Sequence, residues 1–336
     1  MRFGAVALDQ AEGGLLAYSL TVGSRRLKKG HALTAEDVAD LARAGLTQVT
    51  IARLDPGDVP ENAAALRLAR ALVPVPEAAG LRLDPAFTGR VNIRATGPGI
   101  VDLNVADIHA LNRIDPMVTL ATLPPLARVS EGSMVGTVKI ISYAVSEAAL
   151  SAACAAGAGA MRRIAPVLRS AGLIVTHVAD APQKPDAKGI AAVRGRLEAL
   201  GVTLDRVVHV AHEAEAIAAA LAGLDTGLAL VLTGSATSDA ADVAPMGMRR
   251  AGGRLIRFGM PVDPGNLLFL GEIGARPVIG LPGCARSPAL NGADWVLERV
   301  ICGYPVTDAD IAAMGVGGLL KEIPSRPQPR DGPKPR

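Results

Sequence analysis

Leu228-Ala229-Leu230-Val231-Leu232-Thr233-Gly234-Ser235-Ala236-Thr237-Ser238-Asp239 carries the clearest structural signal in the chain. Five apolar residues in an unbroken run read as a strand buried on both faces. The small polar residues behind them read as a loop entering a helix that starts near Asp242. Working outward, Gly172-Leu-Ile-Val-Thr176 is a second run of the same kind. A loop with Pro182, Pro185 and Gly189 follows it, then a helix through Leu197 and Leu200 to Gly201. Arg206–Val210 predicts the next strand and His212–Leu221 the next helix. Strand–helix alternation of this rhythm predicts an α/β fold with a doubly wound, mostly parallel three-layer sheet over residues 151–305.

Upstream, residues 1–150 predict a mixed α+β region. Thr34-Ala35-Glu36-Asp37 reads as an N-cap with acids in the first turn, opening a helix that Gly45 stops. A strand over Leu46–Ile51 comes next. Asp58-Val59-Pro60-Glu61 repeats the capping pattern for a helix running to about Leu72. Val91–Arg94, Ile100–Leu103, Met117–Thr122 and Val135–Ser142 read as strands between Gly- and Pro-bearing turns. Ser146 to Ala156 reads as an Ala-rich linking helix. Residues 306–336 form a C-terminal segment whose end, from Lys321, is Pro-rich and basic, the composition of a linker.

Composition narrows the function classes. The 336 residues carry 35 basic and 32 acidic side chains, a net +3, with aromatic residues at only 2%. Neither a clustered basic face nor a base-stacking platform is expected, which argues against nucleic acid. Mean hydropathy is positive, yet no run of about twenty apolar residues lacks a charge or turn signal, which argues against a membrane span. Met1-Arg2-Phe3-Gly4 does not lead into the apolar core of a signal peptide. Cys154, Cys284 and Cys302 are too scattered for a disulfide framework or a zinc site. A cytoplasmic protein is the expectation.

The chemistry is expected beyond the carboxyl ends of the strands, where open α/β sheets collect ligands. The 233–239 loop offers hydroxyls and amides, and the helix start near Asp242 suits a phosphate. The same residues also serve as ordinary helix-capping chemistry. Gly259-Met-Pro-Val-Asp-Pro-Gly-Asn266 and Gly280-Leu-Pro-Gly-Cys-Ala-Arg-Ser-Pro288 are two further loops. In the second, Gly283 permits close approach of a ligand and Arg286 is placed to clamp an anion. Plain turn geometry explains both equally well. His177, at a strand end, reads either as an acid–base or phosphate-binding group or as a hydrogen-bonded edge residue. His209 and His212 read as structural. Cys284 reads as a small loop residue or a thiol of lowered pKa, and Lys184 and Lys188 as solvated cations.

Thr-Gly-Ser-x-Thr-Ser-x-x-x-Asp-Val, Gly-Met-Pro-Val-x-Pro-Gly-Asn and Gly-Leu-Pro-Gly, in that order, resemble the MoeA/MogA-type molybdopterin-binding family of molybdenum cofactor biosynthesis. The resemblance covers about Gly172 to Gly303. Ser133-Met-Val-Gly-Thr-Val-Lys-Ile-Ile141 and the stretch from Gly280 to Trp295 resemble a branch fused to a molybdenum-cofactor nucleotidyltransferase, of which the Pro-rich tail would be the stump. The resemblance implies a MogA-like domain that binds molybdopterin or its adenylated form, with adenylyl transfer from Mg-ATP or molybdate insertion as the activity. The alternative is a carrier module without catalysis. It further implies a homo-oligomer, and a nucleotidyltransferase or molybdoenzyme as partner.

Carried over by position, Thr233, Gly234, Ser235, Thr237 and Ser238 would form the ligand loop. Pro264 and Gly265 would form the second loop, and Gly280, Leu281, Pro282 and Gly283 the third, with Arg286 beside it. Asp242 would hold Mg²⁺ or orient phosphate, with Asp239 and His177 as further catalytic groups. The chain departs from the family where an acid pair is usual: Thr176-His177-Val178-Ala179 stands there, with Asp180 just beyond. Ser235 replaces a glycine, Ala240 a commonly acidic residue, Asp263 a lysine and Cys284 an asparagine. Fewer carboxylates weaken Mg²⁺-assisted chemistry more than binding, so Asp180, Asp239 and Asp242 gathered about one point would favour an enzyme, and their dispersal a carrier.

Overall fold

A computed structural model describes residues 1–179 and 186–320. Asp180, Lys184 and the tail from 321 lie outside the described residues. The chain divides into two compact units, one of Met1–Gly97 with Val101–Arg163 and one of Pro98–Ile100 with the chain from Ile164 onward.

The first unit is built on antiparallel pairing. Gln48–Arg53 lies between Arg2–Ala7 and Leu15–Leu16, and the helix Ala35–Arg43 buries Leu41 with Leu16, Leu33 and Ile51. A four-stranded sheet follows in the order Val118–Thr122, Met134–Ile140, Arg90–Ala95, Leu81–Leu83. Helices Glu61–Leu72 and Glu147–Ala156 share its core through Leu68, Leu72, Leu150 and Ala153. The helix expected to link two domains is therefore part of this core. Ser146 caps it through the amide of Ala149. The cap expected at Asp58 does not form. Asp58 lies in a short strand and binds the N-terminal ammonium at 2.8 Å and the Asp55 amide at 2.7 Å, so Pro60 stands at the helix start without a side-chain cap.

Thr34 and Asp37 make the reciprocal capping box that their spacing predicts. Asp37 is almost fully buried and also accepts from His31 Nε2 at 2.6 Å and from Arg25 at 2.7 Å. The His31 hydrogen bond, helped by the Thr34 amide, holds its carboxyl at about 2 against an ordinary 3.8. A carboxyl depressed on folding stabilises fully above its unfolded value, and the contribution fades as pH falls toward the folded one. Urea unfolding of the first unit is thus expected to lose stability between about pH 4 and pH 2, and Asp37→Asn to flatten that part of the profile. Equal slopes for the two proteins would refute the assignment.

In the second unit, elements are numbered from its own start: β1 (Ser170–His177), α1 (Ala187–Glu198), β2 (Thr203–Ala211), α2 (Ala214–Ala222), β3 (Leu228–Leu232), α3 (Val243–Arg250), β4 (Arg254–Phe258), β5 (Phe269–Ile273), β6 (Arg276–Leu281) and α4 (Gly292–Ile301). They build a six-stranded sheet in the order β2-β1-β3-β6-β5-β4. The first four strands are parallel, and β5 and β4 pair antiparallel at the far side. Successive residues of each strand feed opposite faces. Leu173, Val175, Leu230 and Leu232 pack with Val193 and Leu197 of α1 and Val296 and Leu297 of α4. Ile174, Ala229 and Val231 pack with Ile217 of α2 and Met248 of α3 on the other side. This is the mixed α/β architecture with a mostly parallel sheet that the apolar runs predict. Among the described residues no helix is long and apolar enough to cross a membrane.

Strand order fixes where a ligand site can open. From β1 the chain steps to β2 on one side, then returns to β3 on the other. Reversal of direction leaves a crevice beyond the carboxyl ends of β1 and β3, where Thr176, His177, Thr233 and Gly234 lie.

Candidate functional site

Gly234 brings the two strand ends together. Its amide donates to Thr176 Oγ1 at 2.9 Å, and a Cβ there would meet the Thr176 carbonyl oxygen at 2.5 Å. The approach needs a residue with no side chain. Thr176 Oγ1 also lies 2.8 Å from His212 Nδ1, and the His212 amide donates to the His177 carbonyl. His212 thus braces the edge from the loop before α2, which starts two residues later than its predicted helix.

Arg286 closes the other side. It ends the short 3₁₀ turn Gly283–Arg286 after β6 and donates to the Thr233 carbonyl at 3.0 Å. Its other nitrogen binds Asp186 Oδ1 at 2.8 Å. Asp186 stands at the start of α1 and makes no cap with its side chain. Its Oδ2 faces two imidazoles, His177 Nε2 at 3.5 Å and His209 Nδ1 at 4.0 Å. The two imidazole nitrogens lie 2.9 Å apart. Their rings are tilted by only 14° with centroids 5.2 Å apart, a separation that places them edge to edge along one N–H···N hydrogen bond. One ring must donate and the other accept.

The spacing of this group follows from register. Val175 pairs with His209 and His177 with Ala211 across β1 and β2, so His177 and His209 sit two positions apart on the same face of neighbouring strands. His209, read from the sequence as a structural strand residue, is a member of the site. No local pattern announces it, because the signal lies in the pairing of two strands more than thirty residues apart. Asp186 escapes sequence reading because it reaches the two rings only through the placement of the start of α1 beside the sheet edge.

Beneath the third loop lies a group that sequence reading also missed. Arg196 of α1 is buried, and its Nε binds Asp294 Oδ1. Its remaining nitrogens donate to the carbonyls of Ala192, Ala285, Ser287 and Ala289 at 2.7–3.2 Å. Asp294 in turn closes the capping box with Asn291 at the start of α4. One guanidinium therefore holds both the 285–289 loop and the entry to the next helix.

The other predicted residues divide by where the fold puts them. Thr233 and Thr237 are buried, while Ser235 and Ser238 are exposed. Asp242 caps α3, accepting from the amides of Val243 at 2.6 Å and Ser238 at 2.8 Å. Asp239 accepts from the amide of Ala241 at 2.7 Å. The helix start expected to receive a phosphate is thus already met by a carboxylate. Pro264 accepts from the amide of Gly292, and Gly265, at φ +142, packs against the same residue. The second loop thus leans on the start of α4. Gly280 and Leu281 lie inside β6 and are buried, Pro282 is buried at the turn, and Gly283 is exposed. Burial pushes the Cys284 thiol up, opposite to a thiol activated for reaction. Lys188 is exposed on α1.

Comparison with known proteins adds the following. A family model described as a domain of unknown function, DUF8806, matches residues 5–53. No curated protein matches the sequence. Among solved structures, the chain is similar to the molybdopterin biosynthesis MoeA protein from Pyrococcus horikosii, at 14% identity and a TM-score of 0.32 over 89% of this chain and 75% of that one. It is similar to molybdenum cofactor biosynthesis protein B at 17% identity and a TM-score of 0.30, over 41% of this chain and 96% of that one. A molybdenum cofactor biosynthesis protein from Pyrococcus furiosus is similar at 12% identity and a TM-score of 0.26, over 91% and 66% of the two chains. These likenesses are distant.

Proposed function

We propose that the second unit binds molybdopterin or its adenylated form at the carboxyl edge of its sheet and holds it for a partner, without carrying out Mg²⁺-assisted adenylyl transfer itself. The observation that carries this reading is the tie between the first and third motif loops: Arg286 reaches from one to the Thr233 carbonyl of the other, beside the crevice that strand order opens. A guanidinium oriented by a carboxylate and a carbonyl is a preorganised contact for a phosphate. The order of the three loop motifs in the sequence supports the pterin phosphate as the ligand class. The resemblance supports a nucleotidyltransferase or a molybdoenzyme as the partner, and a homo-oligomer as the assembly.

The carboxylates argue for holding rather than turning over. Mg²⁺ takes oxygen ligands that include free carboxylates, whereas Asp239 and Asp242 are engaged with the amides of their own loop. Among the described residues neither joins a group of three metal-ligating side chains, and no step is assigned to a magnesium ion.

Calorimetric titration of the full chain with anaerobically prepared molybdopterin, with and without Mg-ATP, tests this. The expected result is saturable binding with no adenylated product, weakened at least tenfold by Arg286→Ala. Absence of binding would overturn the reading. Product formation that Asp242→Ala abolishes would replace the carrier by an enzyme.

A further inference from the structure

We infer that His177, His209 and Asp186 form a binding site for one divalent transition-metal ion, of the zinc or cobalt class. Three donor atoms, Nε2, Nδ1 and Oδ2, lie close together at mutual separations of 2.9, 3.5 and 4.0 Å. Donors so spaced are those of an ion lying roughly 2.1 Å from each, the ordinary distance to imidazole nitrogen and carboxylate oxygen. Two imidazoles and one carboxylate are a donor set that zinc, cobalt and non-haem iron share, and that magnesium, which prefers oxygen, does not.

The arrangement asks for a cation that one proton supplies only in part. The hydrogen bond between the rings satisfies a single pair of nitrogens and leaves Oδ2 at 3.5 Å or more from both. An ion serves all three at once. Loading it moves the bridging N–H to the far nitrogen of its own ring through solvent, so each ring offers the ion a lone pair. Each ring must then turn until its lone pair meets the ion. The side chains have room, being 32% and 49% exposed, whereas Asp186 is only 11% exposed and held fast. What holds it is Arg286, which takes Oδ1 and leaves Oδ2 aimed at the rings. Orientation of a ligating carboxylate by a neighbouring hydrogen bond is a common feature of metal centres. With three protein donors the ion keeps open positions for water or another ligand.

The test uses the metal alone, and so stands apart from pterin binding. The full chain, stripped with a chelator, is titrated with Zn²⁺ against a chromogenic competitor and with Co²⁺ by visible absorption. One Zn²⁺ per chain is expected, undisturbed by excess Mg²⁺, together with Co²⁺ bands of a four- or five-coordinate site. His209→Ala and Asp186→Asn should each weaken Zn²⁺ at least tenfold and remove the Co²⁺ bands, while circular dichroism shows both variants folded. Cys284→Ser and His31→Gln should change neither affinity nor spectrum. No stoichiometric binding, or binding that His209→Ala leaves intact, would overturn the assignment, as would loss of the ion in either control variant.

Discussion

Arg196→Ala is expected to cost the second unit about 3–5 kcal/mol, the penalty of leaving one member of a buried ion pair without its partner. Asp294 would remain buried opposite an empty space. The carbonyls of Ala285, Ser287 and Ala289 would lose their donor together, and a buried unpaired acceptor is itself costly. Urea unfolding followed by a probe in the second unit should show a lowered midpoint with an unchanged slope. Arg196→Met combined with Asp294→Asn should recover part of the loss, because no charge is then buried alone and the amide oxygen can still accept from Asn291. Recovery would stay partial, since methionine offers no donors to the loop carbonyls. A cost below about 1 kcal/mol, the range of an exposed pair, would show that this guanidinium does not hold the loop. The effect should reach the site as well. Arg286 sits in the turn whose following residues Arg196 anchors, so a loosened loop weakens anion binding without any change to Arg286 itself.

Gly280→Ala is expected to destabilise the protein by about 1–3 kcal/mol through overpacking. Gly280 pairs with Phe269 across the antiparallel junction of β5 and β6. The fully buried Phe269 ring lies over the glycine, with its Cζ only 2.6 Å from where a Cβ would stand and other ring atoms nearer still. An aromatic ring lying across a strand glycine fills the volume that the missing side chain leaves. Phe269→Ala alone should cost about 3–5 kcal/mol by opening a cavity. The double variant should then fall short of the sum of the two, because the alanine methyl enters space that the ring has vacated; coupling between contacting residues runs to roughly 0.5–3 kcal/mol. Strict additivity would dismiss the packing explanation. The family resemblance gives Gly280 to the ligand loop, and the same experiment separates the roles. A glycine needed for the ring changes stability, whereas one needed only for a ligand changes binding at unchanged stability.

The architecture of the second unit was legible because its signals are local. Leu228–Leu232 is buried along its whole length in the strand that its composition predicts, and Asp242 caps α3 where the loop was expected to end. Thr34 with Asp37 announced a helix start in four residues. Asp58 offered the same kind of signal and was drawn instead to the N-terminal ammonium, a partner more than fifty positions away. Local propensity yields when a distant charge competes for the same carboxylate.

The alternation of strands and helices and the mostly parallel sheet were legible in the sequence alone, as were the strand ends where a ligand site is expected. Those features rest on periodicity and on residues within a turn or two of one another. What stands at those strand ends is set by contacts between distant parts of the chain. Parallel pairing of β1 with β2 set His209 beside His177, α1 carried Asp186 to them, and the turn after β6 brought Arg286 across a hundred residues. Each of these meetings depends on strand order and register, which are fixed by how whole faces of the sheet bury their apolar residues rather than by any short stretch of chain.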